Sequence, residues 1–381
     1  MQQDTKKILY ALSILVGTIV GLGPFGLPYA FAHAGFGIGM VYLAGLALVV
    51  LTMHLVYGEI VLRTPTKQRL IGYAAMYLGK NGKIAATLVM IVGLYGILLA
   101  YTIVGGIFLE VLAAQFLTYS ATTWSLVFFA MMAFFIVTDF KNGAPAEFFM
   151  TAALIAAFIF IIAKTLGDFS IANISVAQDT AQAFLPYGIV FFALTGSSAI
   201  PELRDVLTGD GRMKKVIIIG TLIPAVLYAL FALGTVSALG MAVSKDAVVS
   251  LAARYGASMA ITGGLVGLLT TATSFIVLGL VLKHAYMFDL GIPDRRAAAA
   301  VLAVPLILFF TATQDFLMVI GFVGAVLGGI EGLLMLAIHR KAQQSGQRSP
   351  EYALKLPPWV YGGIATMFLV GIVYEIVYAI Q

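Results

Sequence analysis

Apolar runs long enough to cross a lipid bilayer recur along nearly the whole chain, and they constrain the fold more than any other feature. A helix needs about 20 apolar residues to cross a hydrocarbon core of about 30 Å. Of the 381 residues, 61% are hydrophobic and only 10% are charged, whereas about a quarter of a soluble domain is charged. The sequence therefore predicts an all-α membrane protein. It excludes a soluble enzyme, a nucleic-acid binder and, since Cys is absent from the chain, a disulfide scaffold.

Eleven such runs occur, and each predicts one transmembrane helix. They cover residues 8–33, 37–60, 84–112, 123–138, 146–166, 185–206, 215–239, 258–284, 297–313, 316–338 and 358–380. The first run is too long for the apolar core of a signal peptide, so we expect no cleavable leader. Polar and apolar residues are interleaved at 71–83, which predicts a short surface helix there.

The positive charges predict how the chain is oriented. If the N-terminus is cytoplasmic, 19 of the 22 Lys and Arg residues fall on the cytoplasmic side and 3 fall outside. Cytoplasmic loops of membrane proteins carry this excess of positive charge. We predict a multi-pass protein of the cell (inner) membrane, with the N-terminus in the cytoplasm and the C-terminus outside.

Two of the runs contain segments that are poorly suited to a regular helix. The first holds Gly-Thr-Ile-Val-Gly-Leu-Gly-Pro-Phe-Gly-Leu-Pro at 17–28, and the sixth holds Leu-Thr-Gly-Ser-Ser-Ala-Ile-Pro-Glu at 194–202. Proline removes a backbone donor and glycine adds backbone freedom, so helices 1 and 6 are predicted to be broken. The alternative is that these glycines only let helices pack closely.

The two breaks lie five helices apart, and this spacing predicts the domain organisation. A repeat with an odd number of spans is inverted relative to its partner in the membrane. We therefore predict inverted five-helix repeats at 1–166 and 185–340, followed by an eleventh helix at 356–381. Broken helices at matching places in two repeats indicate the binding site of a secondary transporter.

On these residues the chain resembles the amino acid–polyamine–organocation superfamily with the LeuT fold. Within it, the chain is most similar to the amino acid/auxin permeases and the aromatic amino-acid permeases. The motifs that carry the resemblance are the Gly- and Pro-rich segment at 17–30, Phe-Phe-Ala-Leu-Thr-Gly-Ser-Ser-Ala-Ile-Pro-Glu at 191–202, and Thr-Thr-Ala-Thr-Ser at 270–274. The resemblance covers spans 1–10, and it implies a secondary active transporter that imports an amino acid by cation symport with alternating access.

The breaks expose backbone groups that suit a free amino acid. The half-helix that begins near Phe25 presents N–H groups to a carboxylate, and carbonyl groups near residues 192–195 can accept hydrogen bonds from an ammonium group. The resemblance implies substrate contacts at a set of positions in spans 1 and 6, which are Ile19, Leu22, Gly23, Phe192, Ala193, Thr195, Gly196 and Ser197.

The breaks carry almost no charge, which predicts a neutral L-amino acid as the substrate. Of the two segments, only the second has a charged residue, Glu202, which the dipole of the inner half-helix explains. We place Tyr101 of span 3 in the pocket, with plain packing as the alternative reading of this aromatic residue.

A sodium site is predicted between spans 1 and 8. Thr270, Thr273 and Ser274 share one helix face, level with the carbonyl groups of Gly17 and Val20. Two hydroxyls and three carbonyls from these positions make a five-oxygen cage that suits a sodium ion, and the resemblance implies the same site. The alternative is that the hydroxyls bond back to their own helix. The fold's second sodium site needs an Asn where this chain has Pro24, so we expect that site to be absent.

Proton coupling is the alternative to sodium. Ionisable residues inside membrane spans are functional candidates, and here they are His54, Glu59, Glu110, Glu331 and Glu375. Glu331 lies deepest in its span and is the candidate proton carrier.

Other classes of function fit the sequence less well. The four His residues are scattered and catalytic motifs such as HExxH and GxSxG are absent from the sequence, so we expect neither an enzyme nor a cofactor other than the coupling ion. A channel would need repeated pore-lining rings. A membrane sensor that binds an amino acid without moving it is a further alternative. We expect the bilayer, the amino acid and Na+ or H+ as partners, no nucleic acid, and a protein that can act as a monomer.

Overall fold

A computed structural model describes residues 2–114, 116–117, 119–139, 144–207, 211–289 and 291–380, and every regular element in these ranges is a helix. The prediction of an all-α protein is therefore confirmed. The helices are α1 (Gln2–Ile19), α2 (Gly23–Ala34), α3 (Phe36–Arg63), α4 (Leu70–Ala113), α5 (Ala121–Val137), α6 (Ala144–Leu166), α7 (Leu185–Leu194), α8 (Ile200–Val206), α9 (Met213–Leu239), α10 (Val248–Tyr255), α11 (Ala257–His284), α12 (Asp294–Thr311), α13 (Phe316–Phe322), α14 (Gly329–Ser345) and α15 (Pro358–Ile380).

Short helical turns link several of these elements. Single 3₁₀ turns lie at Ile171–Asn173, Thr180–Gln182, Ser197–Ala199 and Gly240–Ala242, and π-helical turns lie at Ala285–Asp289 and Val323–Gly328. The second π turn joins α13 to α14, so that Phe316–Ser345 forms one continuous helix. π turns inside a helix often mark functional sites.

Six of the described helices are long and apolar enough to cross a membrane. They are α3, α4, α9, the α11 segment to Met287, the continuous α13–α14 helix and α15, and the bent pair α1–α2 makes a seventh candidate. α5 and the Thr151–Leu166 part of α6 are apolar but shorter. A multi-pass helical membrane protein is thus established, while the count of eleven spans stays a prediction.

The surface helix predicted at 71–83 is joined to the third span. α4 begins at Leu70 and kinks at Gly79, where φ is +69° and ψ is −157°. Glycine reaches this region of backbone space without the steric cost that a side chain would bring. A second surface helix, α10, was not predicted; it has only 8 residues and lies between α9 and α11.

The helices form two groups that position the breaks. In the first, α9 packs against α1, α2 and α3, while α7 packs against α2 and α3. In the second, α4 packs against α5, α11 and α12. The interrupted helices therefore lie in the first group, and α4 brings Tyr101 toward them.

An aromatic cluster fixes the half-helix α2 between its neighbours. Phe25 is fully buried, and its ring centroid lies 5.1 Å from that of Phe108 on α4, 5.6 Å from Phe158 on α6 and 6.3 Å from Phe231 on α9. Edge-to-face contacts at such distances add to the free energy of burying the rings. The start of α2 is therefore held from three sides.

Polar contacts at helix ends complete the fold. The Arg204 guanidinium of α8 donates to the carbonyl of Thr64 at 2.7 Å and to that of Val61 at 3.1 Å, which caps the C-terminal end of α3. The buried Lys283 ammonium of α11 lies 2.9 Å from the Asp139 carboxylate and 2.8 Å from that of Asp294. These contacts join α8 to α3 and α11 to the adjoining ends of α5 and α12.

Candidate functional site

The first interruption separates α1 from α2. α1 ends at Ile19, α2 begins at Gly23, and the two axes meet at an angle of 52°. Within the turn, the Gly21 N–H donates to the Ile19 carbonyl at 2.9 Å and the Phe25 N–H donates to the Leu22 carbonyl at 3.2 Å. The Gly- and Pro-rich segment therefore bends the chain at the place where the sequence predicts a break.

The second interruption separates α7 from α8. Thr195 is extended, with φ −72° and ψ +125°, and a 3₁₀ turn at Ser197–Ala199 leads into α8. The Thr195 hydroxyl bonds back to the Phe191 carbonyl at 2.8 Å. Helix ends leave backbone groups without intrahelical partners, so the carbonyls at the end of α7 need other donors.

The two interruptions touch one another. A Cβ built on Gly23 would lie 2.5 Å from the Ala193 Cβ, and one built on Gly196 would lie 3.2 Å from Ile19 Cδ1. Close packing explains Gly23 in this conformation. This agrees with the alternative interpretation of the glycines, in which they let helices pack closely. Among the described atoms, a Cβ on Gly21 would approach only the Tyr101 hydroxyl within 4 Å, at 3.6 Å. The space beside span 1 therefore opens at Gly21.

Tyr228 of α9 joins the two interruptions with one hydroxyl group. This hydroxyl lies 2.9 Å from the Ile19 carbonyl oxygen and 3.2 Å from the Ala193 carbonyl oxygen, and it donates its hydrogen to them. The side chain is fully buried. Tyr228 could not be identified from the sequence, because one tyrosine in a long apolar helix carries no signal that identifies its partners.

The predicted pocket residues lie around this point. Tyr101 is buried, faces Gly21 and interacts through its hydroxyl with Ser274. Phe192 is half-buried and lies against Gly324 in the π turn between α13 and α14. The structure thus brings residues of spans 1, 3, 6 and 10 together.

The predicted sodium ligands lie on two elements, the end of α1 and α11. Gly17 and Val20 lie at the end of α1, which packs against α6, α8 and α9, whereas α11 packs against α4, α6, α10 and α12. The Thr273 hydroxyl lies 2.9 Å from the Leu269 carbonyl of its own helix, and Gly17 faces the Thr151 hydroxyl of α6. The types of ligand atom suit sodium, and the assignment of these residues to one site stays a prediction.

A second polar cluster surrounds Gly196 and Ser197. The Gly196 N–H donates to His54 Nε2 at 3.2 Å, so the other ring nitrogen, Nδ1, carries the hydrogen that faces the Thr221 hydroxyl at 2.9 Å. The Ser197 hydroxyl donates to Glu331 Oε1 at 2.7 Å. His54 and Glu331 line one small cavity together with Thr195 and Ser197. The two ionisable residues therefore contact the second interruption from two different helices, α3 and α14.

Glu59, another of the ionisable candidates, lies in a different polar cluster. Glu59 and His339 are both fully buried, and the His339 Nε2 lies 3.0 Å from the Glu59 carboxylate. Glu59 also accepts from Arg63 at 2.7 Å and from the Leu354 N–H at 2.6 Å. This cluster ties the loop before α15 to the end of α3. Among the described residues, no group of three or more His, Asp or Glu side chains is arranged to hold a metal ion.

Comparison with known families gives one match over nearly the whole chain. The model of the tryptophan/tyrosine permease family matches residues 4–381. A relative from Haemophilus influenzae, tyrosine-specific transport system 1, is 25% identical over 96% of this chain and 94% of its own length. Tyrosine-specific transport system 2 of the same organism is 25% identical over 60% of this chain and 58% of its own length.

Comparison with solved structures gives the fold. The crystal structure of MhsT in complex with L-phenylalanine has a TM-score of 0.66 at 14% identity, with 97% of each chain covered. The inward-facing conformation of Mhp1 has a TM-score of 0.67 at 13% identity, with 98% of this chain and 89% of Mhp1 covered. Both are LeuT-fold transporters, so the predicted fold type is confirmed.

Proposed function

Because the chain belongs to the tryptophan/tyrosine permease family, we propose that it carries an aromatic L-amino acid across the membrane by alternating access. Membership in a permease family confirms that the protein is not an enzyme. Two relatives are named as tyrosine-specific transport systems, and tyrosine and tryptophan both fall within the predicted class of neutral amino acids. The observation that carries the proposal is the contact between two uncharged helix interruptions at Gly23 and Ala193.

The backbone at these interruptions would bind the two charged ends of the substrate. We assign the carboxylate to the backbone N–H groups at Leu22 and Gly23, because the start of α2 carries the positive end of a helix dipole. We assign the ammonium group to the Ile19 carbonyl at the end of α1 and to the carbonyls of Phe192, Ala193 and Thr195 at the end of α7. The aromatic ring would then occupy space bounded by Tyr101, Gly196 and Ser197.

Reciprocal packing supports the proposed architecture of eleven spans with two inverted repeats. The first span, α1–α2, packs on α9, which is the seventh, and the sixth span, α7–α8, packs on α3, which is the second. An inverted repeat that pairs span 1 with 6 and span 2 with 7 relates these two contacts to each other. We propose repeats at 1–166 and 185–340 with an eleventh helix at 356–381, the N-terminus in the cytoplasm and the C-terminus outside.

We propose sodium as the coupling ion, bound by Gly17, Val20, Thr270, Thr273 and Ser274. The cage would form in a state in which the end of α1 lies against this face of α11. Sodium would then favour one conformation of the transport cycle over the other, which is how an ion shifts a two-state equilibrium. The contact between Ser274 and Tyr101 would connect the ion site to the substrate pocket.

One observation favours proton coupling as the second candidate. Glu331 accepts a hydrogen bond from Ser197, which lies in the interruption that we assign to the substrate. A carboxylate accepts this bond and a carboxylic acid can donate it, so protonation of Glu331 would change how the segment is held. His54, which accepts from the Gly196 N–H of the same segment, would respond to that change.

Uptake of radiolabelled L-tyrosine into proteoliposomes tests the proposed function. We expect uptake that is inhibited by unlabelled tyrosine or tryptophan and that accumulates substrate only with an inward gradient of sodium or protons. Counterflow without an ion gradient separates a carrier from a sensor, because a sensor binds the ligand and exchanges none. Uptake of inorganic ions or sugars alone would refute the proposal.

A further inference from the structure

We infer that Tyr228 is a positioning residue that holds the carbonyls of both helix interruptions in place for the amine of the substrate. The inference rests on the proposed amino-acid substrate. It goes beyond that proposal because it assigns amine selectivity to a side chain outside spans 1 and 6.

The two carbonyls that Tyr228 contacts have lost their places in a regular helix. In an unbroken helix the Ile19 carbonyl would accept from residue 23 and the Ala193 carbonyl from residue 197. The interruptions remove both bonds, and a buried carbonyl without a donor destabilises the fold. Tyr228 supplies a donor to both sites, 2.9 Å from one oxygen and 3.2 Å from the other.

The hydroxyl cannot satisfy both carbonyls completely. A tyrosine hydroxyl has one hydrogen, whereas each carbonyl oxygen has two lone pairs. The Ile19 carbonyl gains a second donor in the Gly21 N–H at 2.9 Å. The Ala193 carbonyl, which shares the one Tyr228 hydrogen at the longer distance of 3.2 Å, therefore keeps the larger acceptor capacity, and an N–H donor of an ammonium group matches it.

The position of Tyr228 is set by packing on both sides of the site. Its helix, α9, packs against α1 and α2, and Phe231, one turn further along, packs its ring against Phe25 and Phe158. Gly23 and Ala193 hold the interruptions in direct contact. Packing thus fixes the Tyr228 hydroxyl between the backbones of the two interruptions, which are held against each other.

Tyr228→Phe removes the donor and keeps the ring, so it isolates the hydrogen bonds. We expect the dissociation constants of L-tyrosine and tyramine to rise about three- to tenfold, as expected for the loss of one hydrogen bond. The dissociation constant of 3-(4-hydroxyphenyl)propanoate, which lacks the amine, should change less than about twofold. Tyr187→Phe is the matched control, because the buried Tyr187 hydroxyl donates to the Met367 carbonyl at 3.2 Å, away from the interruptions. An equal change for all three ligands, or no change, would overturn the inference.

Hydrogen–deuterium exchange of the ligand-free protein tests the bridge without any substrate. We expect Tyr228→Phe to raise amide exchange at residues 19–25 and 193–197 and Tyr187→Phe to leave both segments unchanged. Wild-type exchange in Tyr228→Phe would refute the bridge whatever the protein transports. If the variant raised exchange but the wild type bound no aromatic amino acid, the bridge would stand and the proposed substrate would be wrong.

Discussion

Gly23 and Ala193 are in direct contact, with no room for a side chain on Gly23. A Cβ at Gly23 would lie 2.5 Å from the Ala193 Cβ and closer still to the Ala193 Cα. Because a backbone atom cannot move aside as a flexible side chain can, any larger residue at position 23 must separate α2 from α7. The contact thus links the two interruptions that we propose as the substrate site.

Gly23→Ala should therefore destabilise the protein and abolish uptake. Overpacking of a close contact costs about 1–3 kcal/mol, so we expect a lower midpoint of thermal unfolding in detergent. Gly21→Ala is the matched control, since its Cβ would meet the Tyr101 hydroxyl at 3.6 Å, an ordinary van der Waals distance. It should keep the stability but weaken substrate binding, because it narrows the space beside Tyr101. Equal stability of the two variants would contradict the packing argument.

Asp246 should make the stability of the loop before α10 depend on pH. The side chain is buried, and burial raises the pKa of its carboxyl, although hydrogen bonds from the backbone oppose the shift. In the folded state, where its pKa is higher, the Asp246 carboxyl keeps its proton at pH values at which it is ionised in the unfolded chain. Stability therefore falls as pH rises from about 4 through the raised pKa.

Asp246→Asn should remove this pH dependence and retain the bond that Asp246 Oδ1 accepts from the Val249 N–H at 2.8 Å. Thermal unfolding between pH 4 and 8 is the measurement. Asp179→Asn serves as the control, because Asp179 accepts from the Ala181 N–H in an exposed turn. A variant at position 246 with the same pH profile as the wild type would contradict a raised pKa of the Asp246 carboxyl.

The sequence predicts the fold type well because it depends on local properties. Apolar length identifies membrane helices, and the Gly- and Pro-rich segment at 17–28 indicates the bend found between Ile19 and Gly23. α10 was missed because eight amphipathic residues in a loop lack the length that identifies a span.

The contacts at the candidate site could not be predicted because they join distant parts of the chain. Tyr228 lies 209 positions from Ile19, and His54 lies 142 positions from Gly196. In both cases one partner is a backbone atom, so the residue type of that partner does not indicate the hydrogen bond. The helix face shared by Thr270, Thr273 and Ser274 was predictable, but its distance from α1 depends on the conformation of the whole protein.

The double variant Thr273→Ala/Ser274→Ala tests the sodium cage. If these hydroxyls bind sodium, sodium and substrate should strengthen each other's binding in the wild type by the same factor. In the double variant this mutual effect should vanish, with the substrate bound more weakly and without response to sodium. Thr271→Ala is the control, since the buried Thr271 hydroxyl bonds the Gly267 carbonyl of the same helix at 2.7 Å. Uptake by the double variant that still rises with external sodium would refute the cage.

Glu331→Gln tests the proton alternative in the same proteoliposomes. Glutamine keeps the shape of the side chain and can still accept from Ser197, but it cannot carry a proton. If a proton drives transport, wild-type uptake should follow an inward pH gradient in sodium-free buffer, and the variant should exchange tyrosine without accumulating it.

Glu375→Gln is the matched control, because Glu375 is a second largely buried carboxyl in a membrane helix, α15. It should retain the response to pH, because Glu375 lies against Gly321 on α13 and not at the interruptions. Sodium coupling predicts the opposite pattern, in which Glu331→Gln accumulates tyrosine with a sodium gradient and the hydroxyl double variant does not. A Glu331→Gln protein that accumulated tyrosine with a pH gradient as the wild type does would exclude Glu331 as the proton carrier.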